Sequence, residues 1–330
     1  MNIGNFALSS PLLLAPMAGI TDLPFRVLNR HFGCQLAFAE MISARALTYR
    51  NSNTLKMLST NTADRPIGMQ LLGSDPSIMI KAMEVLRDYE FDLLDINAAC
   101  PVSKVTKRGE GAGLLKEPRR FFEVLKAVVA NSHWPVTVKI RAGWDEFSVN
   151  ACDISLTAQE AGVDAVFIHG RTQEQGYSGS VDYEIIRKVK AALAIPVIAS
   201  GDALSPELIK KLFDETGCDA VAIARGALGN PWIFCEAAQY LKDGTLPPRP
   251  DINDIIETMI MHLDLSVEAD GDENGTTKFR KFFAWYVRGL HDTRNIRTEA
   301  FRATTREQMI GFINQIRDSY YRTGFSNIQT

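Results

Sequence analysis

The stretch PVIASGDALSPELIKKLFDETGCDAVAIARG, from Pro196 to Gly226, carries the pattern that decides the fold. It contains a short apolar run (Pro196 to Ala199), an amphipathic segment (Pro206 to Glu215) and a second apolar run (Asp219 to Ala224). Near-continuous apolar runs of this length are typical of parallel strands that are buried on both faces. A proline directly after a serine is a signal for the start of a helix. The stretch therefore predicts a strand, a helix and a second strand parallel to the first.

The same alternation extends towards the N-terminus. Six further strand candidates precede this stretch: Leu12 to Ala15, Leu36 to Glu40, Ile67 to Leu72, Asp92 to Ile96, Val136 to Arg141 and Ala165 to His169. Segments with helical spacing lie between them, among them Pro76 to Tyr89 and Pro118 to Asn131. Eight alternating β/α units over about 240 residues predict an α/β protein built on a (β/α)8 TIM barrel. A doubly wound sheet is the alternative, but no GxGxxG motif follows the first strand, where that fold would carry it.

A linker separates the predicted barrel from a second domain. The segment from Gly244 to Asp251 holds three prolines and a glycine, which interrupt the alternation. Beyond it the sequence has helical periodicity and no convincing strand. We therefore predict a catalytic barrel over residues 1–245 and a small C-terminal all-helical domain over residues 246–330.

The overall composition excludes several classes of protein. The chain has 330 residues, of which 46% are hydrophobic and 23% charged, with a net charge of −3, as in ordinary globular proteins. No apolar run approaches the roughly 20 residues that span a bilayer, and no basic segment precedes the short apolar stretch near the N-terminus, so we predict neither a membrane span nor a signal peptide. Five scattered cysteines without a CxxC pair argue against a disulfide framework or a metal site and indicate a reducing cytoplasm.

Charge is distributed unevenly over the last domain. From Asp251 to Glu273 there are eight acidic residues and no Lys or Arg, whereas eight Lys or Arg residues lie from Lys278 to Arg306. Four aromatic residues recur at helical spacing and predict a core face: Phe279, Phe282, Phe283 and Tyr286. A neighbouring stripe is basic with one aromatic residue: Lys278, Lys281, Trp285 and Arg288. This stripe is either a solvated helix face or a surface that follows phosphates and carries a stacking residue.

Polar residues recur where the predicted strands end, which is the functional face of a barrel. They are Pro16-Met17-Ala18, Glu40-Met41, Gln70, Asn97, Lys139 with Arg141, His169 with Arg171, Ser200-Gly201-Asp202 and Ala224-Arg225. The last two groups follow strands seven and eight, where many barrels bind phosphate through backbone N–H groups. Each glycine alone is equally explained by a simple turn. Two such turns at these strand ends favour a ligand that carries phosphate.

Two of these residues have both a structural and a functional explanation. Lys139 alternates with apolar residues inside a strand, where an ammonium group is costly unless it is paired. It either faces a carboxylate or places a cation beside an electron-rich ring, stabilising a reduced, anionic flavin. His169 is either a hydrogen-bonded barrel histidine or a ligand contact.

Cys100 differs from the other cysteines because it follows the fourth strand, on a loop at the functional face. Cys34, Cys152, Cys218 and Cys235 are interpreted as small apolar residues. Thiols are mostly protonated at neutral pH and can therefore donate a proton. A nucleophilic role would require a base, and no histidine neighbours Cys100 in the sequence. The basic, glycine-rich segment that follows it, with Lys104, Lys107, Arg108 and the run from Gly109 to Gly113, is predicted to close over a polyanionic substrate.

Six motifs, taken together, resemble those of the tRNA-dihydrouridine synthase family, and more closely its B-type bacterial branch. They are Ala15-Pro-Met-Ala-Gly-Ile-Thr-Asp22, Gln70-Leu-Leu-Gly-Ser-Asp75, Asp95-Ile-Asn-Ala-Ala-Cys-Pro101, Val138-Lys-Ile-Arg-Ala-Gly-Trp144, His169-Gly-Arg-Thr172 and Ala224-Arg-Gly226. They occur in the family's order, and the linker with its helical tail also matches. An ordered set of this kind is far more specific than any one motif.

The resemblance implies a barrel that binds FMN and a helical domain that helps to hold tRNA. NADPH or NADH would reduce the flavin, the flavin would give hydride to C6 of a tRNA uridine, and Cys100 would protonate C5, yielding dihydrouridine. Carried over by position, the FMN contacts would be Pro16, Met17, Ala18, Gln70, Lys139, His169, Ser200, Gly201, Asp202, Ala224 and Arg225. Asn97 and Arg171 would lie near the substrate base, and Lys278, Lys281 and Arg288 would contact RNA. We expect a cytoplasmic monomer.

The chain departs from the family pattern at two places. Ala98 and Ala99 precede Cys100, where the family usually has glycine directly before its cysteine; if that position needs a positive φ, alanine would cost about 1 kcal/mol or more. Ser200 stands where asparagine is common. Two alternatives therefore stay open: an FMN-dependent small-molecule reductase that resembles dihydroorotate dehydrogenases, and a tRNA-binding protein without catalysis.

Overall fold

The computed structural model describes residues 1–323, and it confirms the predicted barrel. A short antiparallel hairpin comes first, formed by β1 (Asn2–Ile3) and β2 (Phe6–Ala7). The barrel strands are β3 (Leu12–Leu14), β4 (Leu36–Ser43), β5 (Ile67–Leu72), β6 (Leu93–Ala98), β7 (Val136–Arg141), β8 (Ala165–His169), β9 (Val197–Ser200) and β10 (Ala220–Ile223). They close in the order β10-β3-β4-β5-β6-β7-β8-β9 with every pair parallel. All eight predicted strands are present, whereas the hairpin was not predicted.

Helices connect the strands and continue to the end of the described chain. They are α1 (Leu23–His31), α2 (Ala44–Thr48), α3 (Ser52–Lys56), α4 (Pro76–Leu86), α5 (Ser103–Thr106), α6 (Pro118–Asn131), α7 (Ala151–Ala161), α8 (Tyr183–Ala192), α9 (Pro206–Thr216), α10 (Ile233–Asp243), α11 (Ile252–Asp270), α12 (Asp272–Tyr286), α13 (Arg294–Ala300) and α14 (Arg306–Thr323). Side chains cap the predicted starts: Asp75 accepts hydrogen bonds at the start of α4, and Ser205 does so for α9. None of the helices within residues 1–323 is both long and apolar enough to cross a membrane.

The chain divides into two compact units. The first consists of residues Met1–Asp22 and Cys34–Gly226 and contains every barrel strand, and the second consists of Leu23–Gly33 and the chain from Ala227 onward. The second unit therefore takes in α1 and α10 and begins before the linker at which the sequence suggested a boundary. Both helices follow a barrel strand directly, so the β/α alternation alone assigns them to the barrel.

Large aromatic residues fill the barrel interior. The rings of Phe38 and Phe167 meet edge to face, with centroids 5.2 Å apart. Gly68 on β5 makes room for this pair, because a Cβ atom there would lie 2.2 Å from the Phe38 ring. Ile3 and Leu8, from the ends of the hairpin, join the same buried cluster as the first residues of β4, β6, β8 and β10. The hairpin therefore closes the end of the barrel at which the strands begin.

A paired pattern of proline and aspartate repeats along the barrel. A proline precedes β5, β7 and β9 and an aspartate precedes β6, β8 and β10; these residues are Pro66, Pro135, Pro196, Asp92, Asp164 and Asp219. Each aspartate carboxylate accepts a hydrogen bond from the first N–H group of the neighbouring strand, at 2.7 Å from Ile67, 2.8 Å from Val136 and 2.8 Å from Val197. The repeat sets the register of three strand pairs by the same contact.

The second unit has an aromatic core, as the sequence predicted. The expected face of α12 is buried, with Phe279, Phe282, Phe283 and Tyr286 at most 5% exposed. His262 of α11 lies among these rings, 4.3 Å from the centroid of Phe282, and its Nδ1 atom is 3.2 Å from the Tyr286 hydroxyl. Burial lowers the pKa of His262 to about 3, so the imidazole is neutral and behaves as a core residue.

Candidate active site

The predicted FMN contacts all lie at or just past the C-terminal ends of barrel strands. Those on strands are Gln70, Lys139, His169 and Ser200, and those in the following loops are Pro16, Met17, Ala18, Gly201, Asp202, Ala224 and Arg225. Asn97 is on β6, and Cys100 lies two residues beyond that strand. Because the strands are parallel and the barrel is closed, these residues share one rim of the first unit. Lys278, Lys281 and Arg288 belong to the second unit.

The loop after β9 has a conformation that requires glycine. Gly201 has φ +116°, and a Cβ atom there would lie 2.7 Å from Cδ2 of His169. Asp202 follows with φ 50°, a left-handed conformation that is uncommon outside glycine. After β10, Arg225–Ala227 forms a 3₁₀ turn. Two tight turns with small residues therefore stand at the neighbouring strand ends where the sequence suggested phosphate binding.

Asp202 joins the loops that follow three strands. Its carboxylate forms a two-point ion pair with Arg171, at 2.6 and 3.0 Å, and also accepts from Arg225 at 3.0 Å. Arg171 is 2% exposed, and its other N–H groups face the Ser178 and Gly179 carbonyl oxygens and Nε2 of His169. All five guanidinium N–H groups of Arg171 are thus engaged. Through these contacts Arg171 helps to hold together the loops that follow β8, β9 and β10.

His169 is a neutral imidazole. Burial, together with the positive charges of Lys139, Arg141, Arg171 and Arg225, lowers its pKa to about 2. A guanidinium group donates and cannot accept, so the 3.4 Å contact of the Arg171 guanidinium with Nε2 makes Nε2 the acceptor and places the proton on Nδ1. His169 therefore carries one N–H group, at Nδ1, and supplies no proton from a charged form near neutral pH.

Lys139 is a buried cation whose charge lacks a bonded partner. It is 9% exposed, and its ammonium group forms no hydrogen bond or salt bridge with any residue in 1–323. Burial and the nearby Arg141 lower its pKa to about 8, against the opposing effect of Asp95. The group is therefore mostly charged at pH 7. A partly solvated ammonium at this rim fits an anionic group.

The Cys100 loop is held from both sides. The Cys100 N–H donates to Oδ1 of Asn97 at 2.8 Å, and its carbonyl oxygen accepts from Ala112 at 3.1 Å. Gly111 packs beneath it with φ +57°, and a Cβ atom there would lie 2.8 Å from the Cys100 oxygen. Arg141, which is 2% exposed, donates from Nε to the Ala99 carbonyl at 2.7 Å. The thiol is thereby kept, partly exposed, on a rigid loop.

The alanines before Cys100 are not strained. Within residues 1–323, the residues other than glycine that have a positive φ are Arg50, Asp202 and Asp292. Ala98 and Ala99 therefore lie outside the left-handed region. The departure from the family pattern at this position leaves the backbone of the loop relaxed, which removes the reason for expecting lost catalysis.

Several site residues escaped sequence interpretation. Asp95 is 1% exposed, and it accepts hydrogen bonds from Gln70 and Thr137, at 2.6 Å each. Its position among apolar residues of a strand was the available signal, the same one that drew attention to Lys139. Tyr177 had no such signal: it is 61% exposed, and its ring centroid lies 5.1 Å from the Arg225 guanidinium and 6.3 Å from the His169 ring.

Comparison with known proteins agrees with the resemblance. A family model described as dihydrouridine synthase (Dus) matches residues 13–320. tRNA-dihydrouridine synthase B of Pasteurella multocida is 36% identical over 321 residues, covering 96% of each chain. The protein of the same name from Pseudomonas aeruginosa is 35% identical over 315 residues, covering 96% of this chain and 95% of its own.

Solved structures share the barrel. An old yellow enzyme homologue from Zymomonas mobilis superposes with a TM-score of 0.55 at 12% identity, covering 77% of this chain and 94% of its own. Histamine dehydrogenase from Rhizobium sp. 4-9 gives a TM-score of 0.54 at 11% identity, covering 80% of this chain and 50% of its own. At such identities the likeness establishes the fold alone. The family model and the relatives, which extend over nearly the whole length, establish more: the chain belongs to the dihydrouridine synthase family.

Proposed function

We propose that this chain is a flavin-dependent tRNA-dihydrouridine synthase that uses FMN and takes its electrons from NADPH or NADH. The observation that carries the proposal is the barrel rim on which a partly exposed thiol, a buried ammonium group without a bonded partner and a neutral imidazole come from successive strands. The relatives that the chain matches over their whole length carry the same activity in their names. We also propose that it acts in the cytoplasm as a monomer, without a metal ion.

The residues of the rim would hold FMN through charge and backbone donors. Lys139 supplies a positive charge, the turns at Gly201 and Arg225 allow close approach of a phosphate, and Nδ1–H of His169 is available as a donor. When bound, the flavin supplies the hydride that adds to C6 of a uracil ring. The remaining chemistry is the addition of one proton to C5, which completes the reduction of the C5–C6 double bond.

Cys100 is the proton donor in this proposal. His169 has a pKa near 2 and carries no extra proton at neutral pH, so it cannot act as an acid in place of the thiol. The hydrogen bonds of the Cys100 backbone with Asn97 and Ala112 fix the position from which Sγ delivers its proton. The sulfur becomes a thiolate, which then takes a proton from solvent.

An RNA substrate fits the basic side chains that each of the two units carries. Lys104, Lys107 and Arg108 are exposed on the segment that follows Cys100. A uracil base must leave its stack to reach a barrel rim, and a tRNA loop offers bases that are already splayed. In the second unit Arg288 is exposed, Lys278 pairs with Asp270 at 2.7 Å, and Lys281 lies over the Phe282 ring. We propose that these three residues follow phosphates of the bound tRNA.

Direct assay of the product tests the proposal. Purified protein is incubated with FMN, NADPH and unmodified tRNA, and the nucleosides are analysed for dihydrouridine by mass spectrometry. Parallel reactions contain NADH in place of NADPH, or free uridine or orotate in place of tRNA. Dihydrouridine that forms in tRNA and depends on reductant supports the proposal. Efficient turnover of the free pyrimidine with none of the tRNA would identify a small-molecule reductase, and tight tRNA binding with no product would identify an RNA-binding protein.

Replacement of Cys100 by alanine tests the proton donor. Loss of a general acid typically costs about 10²- to 10⁴-fold in rate, so Cys100→Ala is expected to reduce dihydrouridine formation by that factor. Flavin content and tRNA affinity should be retained because the backbone contacts of the loop remain. Cys235→Ala, at an exposed position of the second unit, is the matched control and should keep the original rate. An unchanged rate in Cys100→Ala would exclude the thiol as the acid.

A further inference from the structure

We propose that Asp95 is a positioning residue for Cys100, because its carboxylate fixes the direction of a hydrogen-bond chain that ends on the Cys100 backbone. The inference rests on the proposed function in one respect, since it takes Cys100 as the proton donor. Asp95 itself does not contact the thiol. It acts through Gln70 and Asn97.

The hydrogen-bond chain links side chains of two barrel strands, β5 and β6, and ends in the Cys100 loop. Gln70 Nε2 donates to Oδ2 of Asp95 at 2.6 Å, and Asn97 Nδ2 donates to Oε1 of Gln70 at 2.8 Å. Oδ1 of Asn97 then accepts from the N–H groups of Ala99 at 3.1 Å and Cys100 at 2.8 Å. All three linking side chains are at most 7% exposed. Water therefore has little access to substitute for any member.

The charge of Asp95 gives the chain a single direction. An ionised carboxylate only accepts, so Gln70 must turn its NH2 group towards Asp95 and its oxygen towards Asn97. Asn97 must then present its own NH2 group to Gln70, which leaves its oxygen for the two backbone N–H groups. Reversal of either amide would set two oxygen atoms against each other. The carboxylate thus determines, two side chains away, which atom faces the Cys100 backbone.

The surroundings of Asp95 keep the carboxylate available for this role. Its other oxygen accepts from Oγ1 of Thr137 at 2.6 Å, and the charge of Lys139 on the same strand as Thr137 favours its ionised form. Burial opposes ionisation and raises the pKa of Asp95 to about 6, so the group is still mostly ionised at pH 7. A charged group inside an apolar barrel costs stability. Its presence is explained when it orients the functional loop.

Reversing the direction of the hydrogen-bond chain provides the decisive experiment. In Asn97→Asp, the new carboxylate still accepts from the Cys100 N–H, but its second oxygen opposes Oε1 of Gln70, and Gln70 cannot turn because Asp95 requires its NH2 group. In the double variant Asp95→Asn/Asn97→Asp, Gln70 turns over. It then donates to residue 97 and accepts from the amide of residue 95, whose oxygen accepts from Thr137. The chain is continuous again, with the opposite direction and with the same net charge as the original protein.

Two readouts separate positioning from general stability. The first is kcat and KM for dihydrouridine formation with tRNA, and the second is the rate at which iodoacetamide alkylates the peptide that contains Cys100. Asn97→Asp is expected to lower kcat about 10- to 100-fold, as for loss of a hydrogen bond in a charged network, and to alter the alkylation rate. The double variant should recover most of the original kcat and most of the original alkylation rate. Thr137→Ser, which keeps the hydroxyl that donates to Asp95 and leaves the direction of the hydrogen-bond chain intact, should keep kcat even where it lowers stability.

The outcomes are distinct. If Asn97→Asp keeps the original kcat, or if the double variant is no better than the single one, the positioning role is excluded. If Asn97→Asp does not fold, Asp95→Leu, which leaves Gln70 without a fixed direction, replaces it in the comparison with Thr137→Ser; equal kcat values in those two variants would exclude the role. The alkylation series also stands if the protein forms no dihydrouridine, so failure of the proposed function and failure of this inference can be told apart.

Discussion

Lys139 and His169 show how burial at one rim produces two different charge states. Both side chains are largely withdrawn from water, and burial is the main cause that lowers each pKa. The ordinary pKa of lysine is high enough that a value of about 8 still leaves a cation at pH 7, whereas histidine at about 2 is neutral. Of these two residues, Lys139 therefore brings a positive charge to the rim, and His169 is uncharged.

The charge of Lys139 predicts a pH dependence of flavin binding. A lysine is charged below its pKa, so the positive charge is present at pH 7 and is lost as the pH rises through about 8. The affinity for FMN is therefore expected to fall by about tenfold between pH 7 and pH 9, because the charged fraction of a group with a pKa of about 8 falls from about nine-tenths to about one-tenth over this interval. Quenching of flavin fluorescence measures the Kd. Lys139→Met should bind FMN more weakly at pH 7 and show no such decline; equal slopes for the two proteins would contradict the assignment.

Residue types in the sequence revealed which side chains lie at the site but not how they pair. Strand ends and family motifs identified Lys139, His169 and Cys100. Arg171 has all its N–H groups bonded only because the carbonyl oxygens of Ser178 and Gly179 face it. No sequence pattern encodes which way a backbone oxygen points. The importance of Asp95 depends on Gln70 and Thr137, which are distant in sequence and adjacent only in the closed barrel.

At the scale of elements, the repeated aspartates couple neighbouring strands in pairs. Each of the three accepts a hydrogen bond from the neighbouring strand, as Asp164 does from the Val136 N–H at 2.8 Å. In addition, Asp92 forms a salt bridge with Arg65, and Asp219 forms one with Lys190. Each contact satisfies an N–H group at the start of a strand that lacks a strand partner there. The repeat should therefore contribute to the stability of the barrel, at the end opposite to the site.

The Asp164 contact can be tested by Asp164→Ala. The substitution leaves the Val136 N–H without its acceptor, which is expected to lower the free energy of unfolding by about 1–2 kcal/mol. Urea denaturation followed by circular dichroism measures the change. Asp88→Ala removes a surface ion pair with Arg50 whose side chains are 60% exposed, so it should cost well under 1 kcal/mol. Flavin content should be unaffected in both variants, and equal loss of stability would show that Asp164 is an ordinary surface residue.

Strands and barrel helices were the elements most accessible to sequence analysis. The predicted helix over residues 118–131 coincides with α6 at both ends, because Pro118 marks its start and its apolar spacing is regular. The hairpin at residues 2–7 was missed because strands of two residues are too short to show a period. The membership of α1 and α10 in the second unit depends on tertiary packing, which the alternation of strands and helices does not report.

At the scale of the whole molecule, the net charge of −3 conceals a basic stretch in the second unit. The acidic run lies mostly on α11, and the basic run begins on α12. Two salt bridges join the runs, one between Lys278 and Asp270 and one between Arg306 and Asp264. Part of the basic charge is therefore neutralised locally. Arg288 is exposed just past the end of α12. The proposed RNA surface therefore consists of few charges. Loss of any one of them should measurably change how the affinity for tRNA depends on salt concentration.

A triple substitution tests this surface. In Lys278→Gln/Lys281→Gln/Arg288→Gln, the affinity for tRNA should fall, and the slope of log K against log salt should flatten by about 2 to 3 units if each residue contacts one phosphate. KM for tRNA should rise while kcat is retained. The matched control removes three lysines from barrel helices, Lys188→Gln/Lys210→Gln/Lys211→Gln, with the same change in net charge. The same salt slope in both triple variants would place the RNA contacts elsewhere.

The second unit is built from two separated pieces of chain, and this has a consequence for synthesis on the ribosome. Phe25 of α1 is 1% exposed and stacks on Phe282 of α12, with ring centroids 5.3 Å apart. α1 leaves the ribosome early, but its packing partners emerge only after the entire barrel has been translated. The barrel can fold during translation, while α1 must wait with its apolar face uncovered. A protein shortened after Gly226 would keep that helix permanently without the aromatic core against which it packs.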